Sequence, residues 1–188
     1  MGAYSIFKCT HCGTAQSCPK PSLKELADFY DSFLFRTSIE NKPFVYKSAE
    51  LLFSRLGLPA NENKQMLDVG GGGGFYAKAF EDMKYGESTY VDLDPRACES
   101  AMKLGIKNII NADAGKYDFP ISYDFIMCRH LIEHLINPNL FIMKLIHLLS
   151  PNGQLLLICP NGESLEYLAY PKSLLGRLLK IYKSNSWG

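Results

Sequence analysis

Leu67-Asp68-Val69-Gly70-Gly71-Gly72-Gly73-Gly74-Phe75-Tyr76 leaves a short apolar run, turns on glycine and enters a helical pattern. Glycine lets the backbone approach a ligand with no Cβ in the way, and the start of the following helix offers free N–H groups to an anion. Five glycines in a row would also suit a flexible linker. A linker is not normally flanked by a buried strand and an apolar helix, so the segment is read as a binding loop.

Outward from this loop, short apolar runs alternate with helical segments. Met66-Leu67-Asp68-Val69, Ser88-Thr89-Tyr90-Val91, Asn108-Ile109-Ile110, Phe125-Ile126-Met127-Cys128 and Leu155-Leu156-Leu157-Ile158 read as five buried strands. Helical stretches are expected at Phe75 to Met83, Pro95 to Leu104 and Pro138 to Leu149. Upstream, Ser22 with Glu25 makes a capping box that opens an amphipathic helix through Leu23, Leu26, Phe29, Tyr30 and Phe33. A second helix is expected from near Pro43 to Leu56, ended by Gly57. Alternating strand and helix implies an α/β fold, a doubly wound parallel sheet covered on both faces. Right-handed crossovers then place ligands at the carboxyl ends of the strands.

Composition narrows the function. With 188 residues, 47% of them apolar, the chain can bury one hydrophobic core but hardly two. Twenty basic against nineteen acidic side chains give a formal charge of +1, which argues against a dedicated polyanion binder and leaves nucleic acid unsupported as a partner. The longest apolar stretch, Leu140 to Leu149, is interrupted by Lys144 and His147 and falls short of the roughly 20 residues a membrane span needs. Met1 is followed by neither an apolar secretory run nor a myristoylation signal, so a cytoplasmic address is expected. The six cysteines, at 9, 12, 18, 98, 128 and 159, would stay reduced there. Cys128 and Cys159 read as small buried hydrophobes.

The glycine spacing selects the ligand. A dinucleotide fingerprint needs Gly-x-Gly-x-x-Gly, yet from Gly70 its last position is Phe75, from Gly71 it is Tyr76, and from Gly72 it is Ala77, which only the looser form accepts. Asp68, Gly70, Gly72 and Gly74 instead complete Asp-x-Gly-x-Gly-x-Gly. This resembles the first motif of class I S-adenosylmethionine-dependent methyltransferases. Three further blocks follow in the family's order. Tyr90-Val91-Asp92-Leu93-Asp94-Pro95 supplies the acid that ends the second strand and holds the ribose hydroxyls, Asp92 in the first place and Asp94 as the other claimant. Asn111-Ala112-Asp113-Ala114 places Asp113 where the family meets the adenine amino group. Tyr123 to Leu135 resembles the fourth strand and its turn with a Glu-His pair, and Leu148-Leu149-Ser150-Pro151-Asn152-Gly153-Gln154-Leu155 the turn into the fifth strand, with Asn152 where glycine is usual. The resemblance spans roughly residues 65 to 161. It implies a Rossmann-like fold that binds S-adenosyl-L-methionine through Asp68, Gly70, Gly72, Gly74, Asp92, Leu93, Asp113, Ala114 and Cys128. Taken singly, Asp92 or Asp94 would serve as a cap for the helix opened by Pro95, and Asp113 as a solvated turn residue.

Methyl transfer from a sulfonium is a direct displacement, in which alignment supplies much of the acceleration and a base is needed only if the acceptor must lose a proton. His130 and His134, four apart, would share one face if the turn is helical. His134, beside Glu133, is the candidate base, and His130 lies next to it. A structural Glu-His pair supporting the turn is the competing reading, and a divalent ion at Glu133 and His134 a weaker one; no metal site is assigned. Methyltransferases acting on nucleic-acid amines usually carry Asn or Asp, two prolines and an aromatic after the fourth strand. Cys128-Arg129-His130-Leu131 stands there instead, so a small-molecule oxygen or carbon acceptor is expected. Tyr30 and Tyr46 could close over the ligand or pack in the core.

Four segments follow. Residues 1–21, with Cys9-Thr10-His11-Cys12-Gly13 and Cys18, resemble one knuckle of the zinc ribbon that precedes a subgroup of small-molecule methyltransferases, whereas zinc wants four ligands. Residues 22–64 form a helical cap, 65–160 the cofactor-binding core, and 161–188 a basic amphipathic tail. Both ends read as shortened, with no antiparallel strand pair after Cys159. A second copy of the chain or the tail is expected to cover the exposed sheet edge. The rival functions are a truncated, non-catalytic module that binds cofactor or a protein partner, and a nicotinamide-dependent oxidoreductase.

Overall fold

The computed structural model describes residues 4–22, 24–26, 28, 42–58 and 63–161. The first expected helix past Asp28, with Tyr30, and the tail from Gly162 lie outside the described residues. The chain divides into two compact units, Met1–Arg36 with Pro160–Gly188, and Thr37–Cys159.

In the first unit, β1 (Ser5–Lys8) pairs antiparallel with β2 (Ala15–Cys18). The turn between them closes on itself, Cys9 N–H donating to Thr14 O at 2.8 Å and Gly13 N–H to Cys9 O at 2.9 Å. The Ser22 box is reciprocal: Glu25 N–H donates to Ser22 Oγ at 3.2 Å, and Ser22 N–H to Glu25 Oε2 at 2.9 Å. Tyr4 adds a 2.6 Å hydrogen bond to the other oxygen of Glu25, and these donors hold the Glu25 carboxyl well below its ordinary range.

The second unit carries α1 (Lys42–Leu56), β3 (Lys64–Val69), α2 (Phe75–Asp82), β4 (Gly86–Asp92), α3 (Pro95–Lys103), β5 (Asn108–Asn111), β6 (Tyr123–Arg129), α4 (Pro138–His147) and β7 (Leu149–Ile158). The five strands lie in the order β5-β4-β3-β6-β7, with every pairing parallel. Strand order reverses between β3 and β6, the switch point at which open α/β sheets bind ligands.

Alternation along the strands feeds two cores. Met66, Phe125 and Met127 pack on one face against Ala49 and Phe53 of α1 and Ala79 and Phe80 of α2. Leu67, Val69, Val91, Ile126 and Cys128 pack on the other against Phe141 and Leu145 of α4. Phe53 stands edge-on to Phe80, Tyr85 and Phe125, with centroids 5.7 to 6.1 Å away. Burial of Ala49 and Phe53 therefore makes α1 part of the sheet's own core. Tyr46 packs against that core and donates to Asp82 Oδ2 at 2.8 Å, which leaves it tying α1 to α2.

Three expectations need correction. Leu149, expected at the end of a helix, begins β7: it opposes Tyr123, and Gln154 then opposes Phe125, so Ser150 to Gly153 bulge from the ladder. Asn152 takes φ +66° in that bulge, the left-handed region where glycine is cheapest and asparagine is the usual substitute. Cys159 is exposed, because β7 is an edge strand that ends at Ile158. The third concerns His130 and is reported with the site.

Candidate functional site

The glycine loop joins β3 to α2 over a buried acid. Gly70, Gly72 and Gly74 adopt φ of +65°, +57° and +78°. Gly70 N–H donates to Val91 O at 2.8 Å, stitching the loop to β4. Gly71 has ordinary φ but no room: a Cβ there would stand 2.5 Å from Asp68 Oδ2 and 2.7 Å from Tyr90 Cε2. At Gly72 a Cβ would meet nothing within 4 Å, so this part of the loop faces open space.

Asp68 lies beneath the loop at 1% exposure, and its Oδ2 has no hydrogen-bond partner among the described residues. Burial pushes its carboxyl up to about 7, while the Arg129 cation and the Ala77 amide pull it down. Among the described residues it is the one buried side-chain oxygen left unpaired, which marks a site rather than a packing detail.

Asp92 ends β4 with its carboxylate turned to the same loop. Gly72 N–H donates to its Oδ2 at 3.1 Å and Asp94 N–H to its Oδ1 at 2.9 Å. Burial raises its carboxyl above the usual range against the pull of those two amides. Tyr90, two residues earlier on the same face, donates to Gly72 O at 2.6 Å. Asp94 divides the labour differently: its Oδ1 accepts from Arg96 N–H at 2.9 Å and its Oδ2 pairs with Arg96 Nη2 at 2.7 Å, so it caps α3. The acid at the loop is Asp92.

Asn111, at the end of β5, donates through Nδ2 to the Asp92 and Leu93 carbonyls at 3.0 Å each, tying the next turn to this one. Asp113 follows, exposed, with Oδ1 accepting from Gly115 N–H at 2.9 Å and Oδ2 3.2 Å from Lys116 Nζ. Leu93 is 70% exposed, while Ala114 is buried beside Val91. Lys144 of α4 donates to Gly115 O at 3.0 Å and Tyr117 O at 2.6 Å, fixing that loop from below. Cys128 is fully buried and its thiol is pushed up to about 12 by desolvation, so it contributes bulk and backbone, not a thiolate.

The turn after β6 carries exposed His130, Glu133 and His134 beside Leu131, Ile132 and Leu135, which pack against the core. Arg129, its last residue, places its guanidinium carbon 3.7 Å from the centroid of Tyr76, the second residue of α2. His130 takes φ +50°, leaving the strand, and donates its backbone N–H to Ile158 O at 2.8 Å. Helical structure here is limited to a 3₁₀ turn at Ile132–His134, so His130 and His134 do not share a helical face. They converge on one carboxylate instead: Glu133 Oε1 lies 3.7 Å from His130 Nδ1 and 3.9 Å from His134 Nε2. Both imidazoles are about half exposed, at 54% and 47%.

The structure thus brings Asp68, Gly70, Gly72 and Asp92 together at the β3 and β4 ends. Sequence reasoning missed Gly71, Tyr90, Tyr76 and Arg129. For Tyr90 a signal existed, because period-two alternation puts it on the face of Asp92. For Gly71 and the Arg129 stacking none did, since both depend on what packs across the loop.

A profile described as a methyltransferase domain matches residues 43–187, well over half of the chain. The chain belongs to that family. Among similar curated proteins is the mitochondrial ubiquinone biosynthesis O-methyltransferase of Schizosaccharomyces pombe, 30% identical over 127 residues, covering 63% of this chain and 42% of that protein. The ubiquinone biosynthesis O-methyltransferase of Rickettsia prowazekii is 31% identical over 109 residues, 55% of this chain and 43% of its own length. The chain therefore spans less than half of these relatives. Among solved structures, the plantazolicin methyltransferase BpumL, in complex with a monoazolic desmethylPZN analog and SAH, superposes with TM-score 0.59 at 24% identity, over 85% of this chain and 61% of that one. The N-methyltransferase NodS of Bradyrhizobium japonicum WM9, in complex with SAH, gives 0.55 at 18%, over 71% and 70%. At these identities the likeness establishes the fold, the Rossmann-like sheet of the family. These likenesses do not show a zinc ribbon in the first unit, where the described residues hold no group of three or more potential metal ligands. No helix among the described residues is long and apolar enough to cross a membrane.

Proposed function

We propose that this chain is an S-adenosyl-L-methionine-dependent methyltransferase acting on an oxygen of a small molecule. The observation that carries the cofactor is the Asp92 carboxylate, held by one backbone amide on each oxygen at the end of β4 beside Gly72, whose Cβ position is open. Oδ1 keeps a lone pair beside its amide, and Oδ2 has besides its amide only a long 3.4 Å contact from the Tyr90 hydroxyl, so the carboxylate can still accept from ribose hydroxyls. Gly70, Gly72 and Gly74 shape the loop, and the buried Asp68 sets its charge from below. Asp113 and Ala114 offer the adenine edge, held by the Lys144 clamp, while Leu93 offers an exposed apolar surface and Cys128 its backbone.

S-adenosyl-L-methionine supplies an electrophilic methyl group on a sulfonium when bound. The protein's part is alignment and removal of the acceptor's proton. His134 takes that proton, with Glu133 Oε1 3.9 Å from its Nε2 and 3.7 Å from His130 Nδ1. Oxygen is preferred over carbon as acceptor because the curated relatives are O-methyltransferases. A cytoplasmic setting, with the thiols reduced, and a second copy at a sheet edge belong to the same proposal; sedimentation of the purified chain reads the latter.

Calorimetric titration with S-adenosylhomocysteine, beside an Asp92→Ala control and NADH as comparator, tests the cofactor. Micromolar binding of S-adenosylhomocysteine alone, lost in the variant, is expected. Binding of neither ligand would sink the proposal and favour the non-catalytic module.

A further inference from the structure

Resting on the cofactor reading above, we propose that Arg129 is the anchor for the cofactor's α-carboxylate, oriented by the ring of Tyr76. Asp68 pairs with Met127 and Val69 with Cys128 across β3 and β6, so by alternation Arg129 leaves the sheet on the face of Asp68, at the switch point between these two strands. Its guanidinium lies over Tyr76, which itself stands edge-on to the buried Phe53 at 6.3 Å. The face of the guanidinium is therefore held by a ring that is itself packed. Among the described residues the Arg129 guanidinium has a ring and a nearby charge for partners, and no hydrogen-bond acceptor.

A half-buried guanidinium in that position lacks what it usually has, a planar acceptor for its N–H fork. Stacking occupies its face and leaves its edges for that acceptor. The one buried carboxylate nearby, Asp68, is roofed by Gly71 and keeps an oxygen unpaired, so the cation offsets its charge without satisfying it. The amino-acid end of the cofactor carries an ammonium and a carboxylate. Asp68 and Arg129 present the complementary signs side by side at the crevice, Asp68 through the loop and Arg129 by direct contact. Lysine would supply the charge at this place but not the fork, and it would stack less well.

The test uses the full chain and two probes that differ in one group, S-adenosylhomocysteine and its decarboxylated analogue. Wild type is expected to bind the decarboxylated probe about 10- to 100-fold more weakly. Arg129→Met should lose the same factor for S-adenosylhomocysteine and leave the decarboxylated probe within about twofold, while Arg129→Lys recovers only part of the loss. Equal loss for both probes in Arg129→Met would overturn the assignment, reducing Arg129 to a packing role. So would equal affinity of wild type for the two probes, a measurement that needs no variant. If wild type binds neither probe, the cofactor reading itself has failed, whereas binding of both without discrimination condemns only Arg129.

Discussion

The turns after β3 and β6 both leave central strands at the same end of the sheet, yet they are built in opposite ways. After β3 the backbone is pinned: Asp68 lies beneath, Gly70 is stitched to β4, and Gly71 has no space for a methyl group. After β6 Leu131, Ile132 and Leu135 pack against the core, while two half-exposed imidazoles stand near one carboxylate. The first turn has the rigidity needed to hold a common cofactor, and the second has the exposure needed to meet an acceptor. In the proposed site, cofactor binding should therefore depend on backbone fit in the first turn together with the Asp92 and Arg129 side chains, and turnover on the imidazoles of the second.

The largest expected effect comes from Asp68. Its folded carboxyl lies near 7 and an unfolded one near 3.9, so between about pH 4 and 7 the native state binds a proton that the unfolded state has lost. Stability then falls as pH rises through that window, by on the order of 4 kcal/mol in total, and is flat above it. Asp68→Asn should flatten the slope and be the more stable protein at pH 8, read by urea unfolding across pH. An unchanged slope would place the charge elsewhere.

Next is the exposed turn. His134→Gln should lower turnover by about 100-fold or more while leaving S-adenosylhomocysteine affinity and unfolding free energy nearly unchanged. Loss of the acid limb in the pH profile of kcat/KM would separate a base from a brace. Gly71→Ala is the converse, expected to cost about 1–3 kcal/mol in unfolding and to abolish cofactor binding, because the methyl meets a carboxylate and a ring that cannot both retreat. The smallest effect is at Lys144→Met, which removes two hydrogen bonds to the loop after β5. A loss of about 1 kcal/mol and a few-fold weaker binding are expected by the same two assays.

Much of this was legible before any coordinates. Met66 to Val69, Ser88 to Val91 and Phe125 to Cys128 are short, largely apolar runs alternating with helical segments, as the buried strands of a parallel sheet are, and the glycine run between a strand and a helix has few other uses. The resemblance puts Asp92 ahead of Asp94, but residue type alone does not separate them, since both precede Pro95 and either could cap a helix. Geometry separates them: Asp94 is committed to Arg96, and Asp92 to the loop. The shared helical face of His130 and His134 failed for a related reason, because His130 at φ +50° ends the strand before any helix can begin.

The sequence by itself determined the element order of the second unit, the parallel sheet and the glycine loop between strand and helix, because those follow from local periodicity and from where glycine and acid stand along one chain. Only the tertiary structure decided that Gly71 is as constrained as its neighbours, that Asp68 is buried with an oxygen unpaired, and that Arg129 lies on Tyr76. Each of those depends on atoms from different strands and helices meeting at one point, and burial, not residue type, sets the charge and freedom of the groups that meet there.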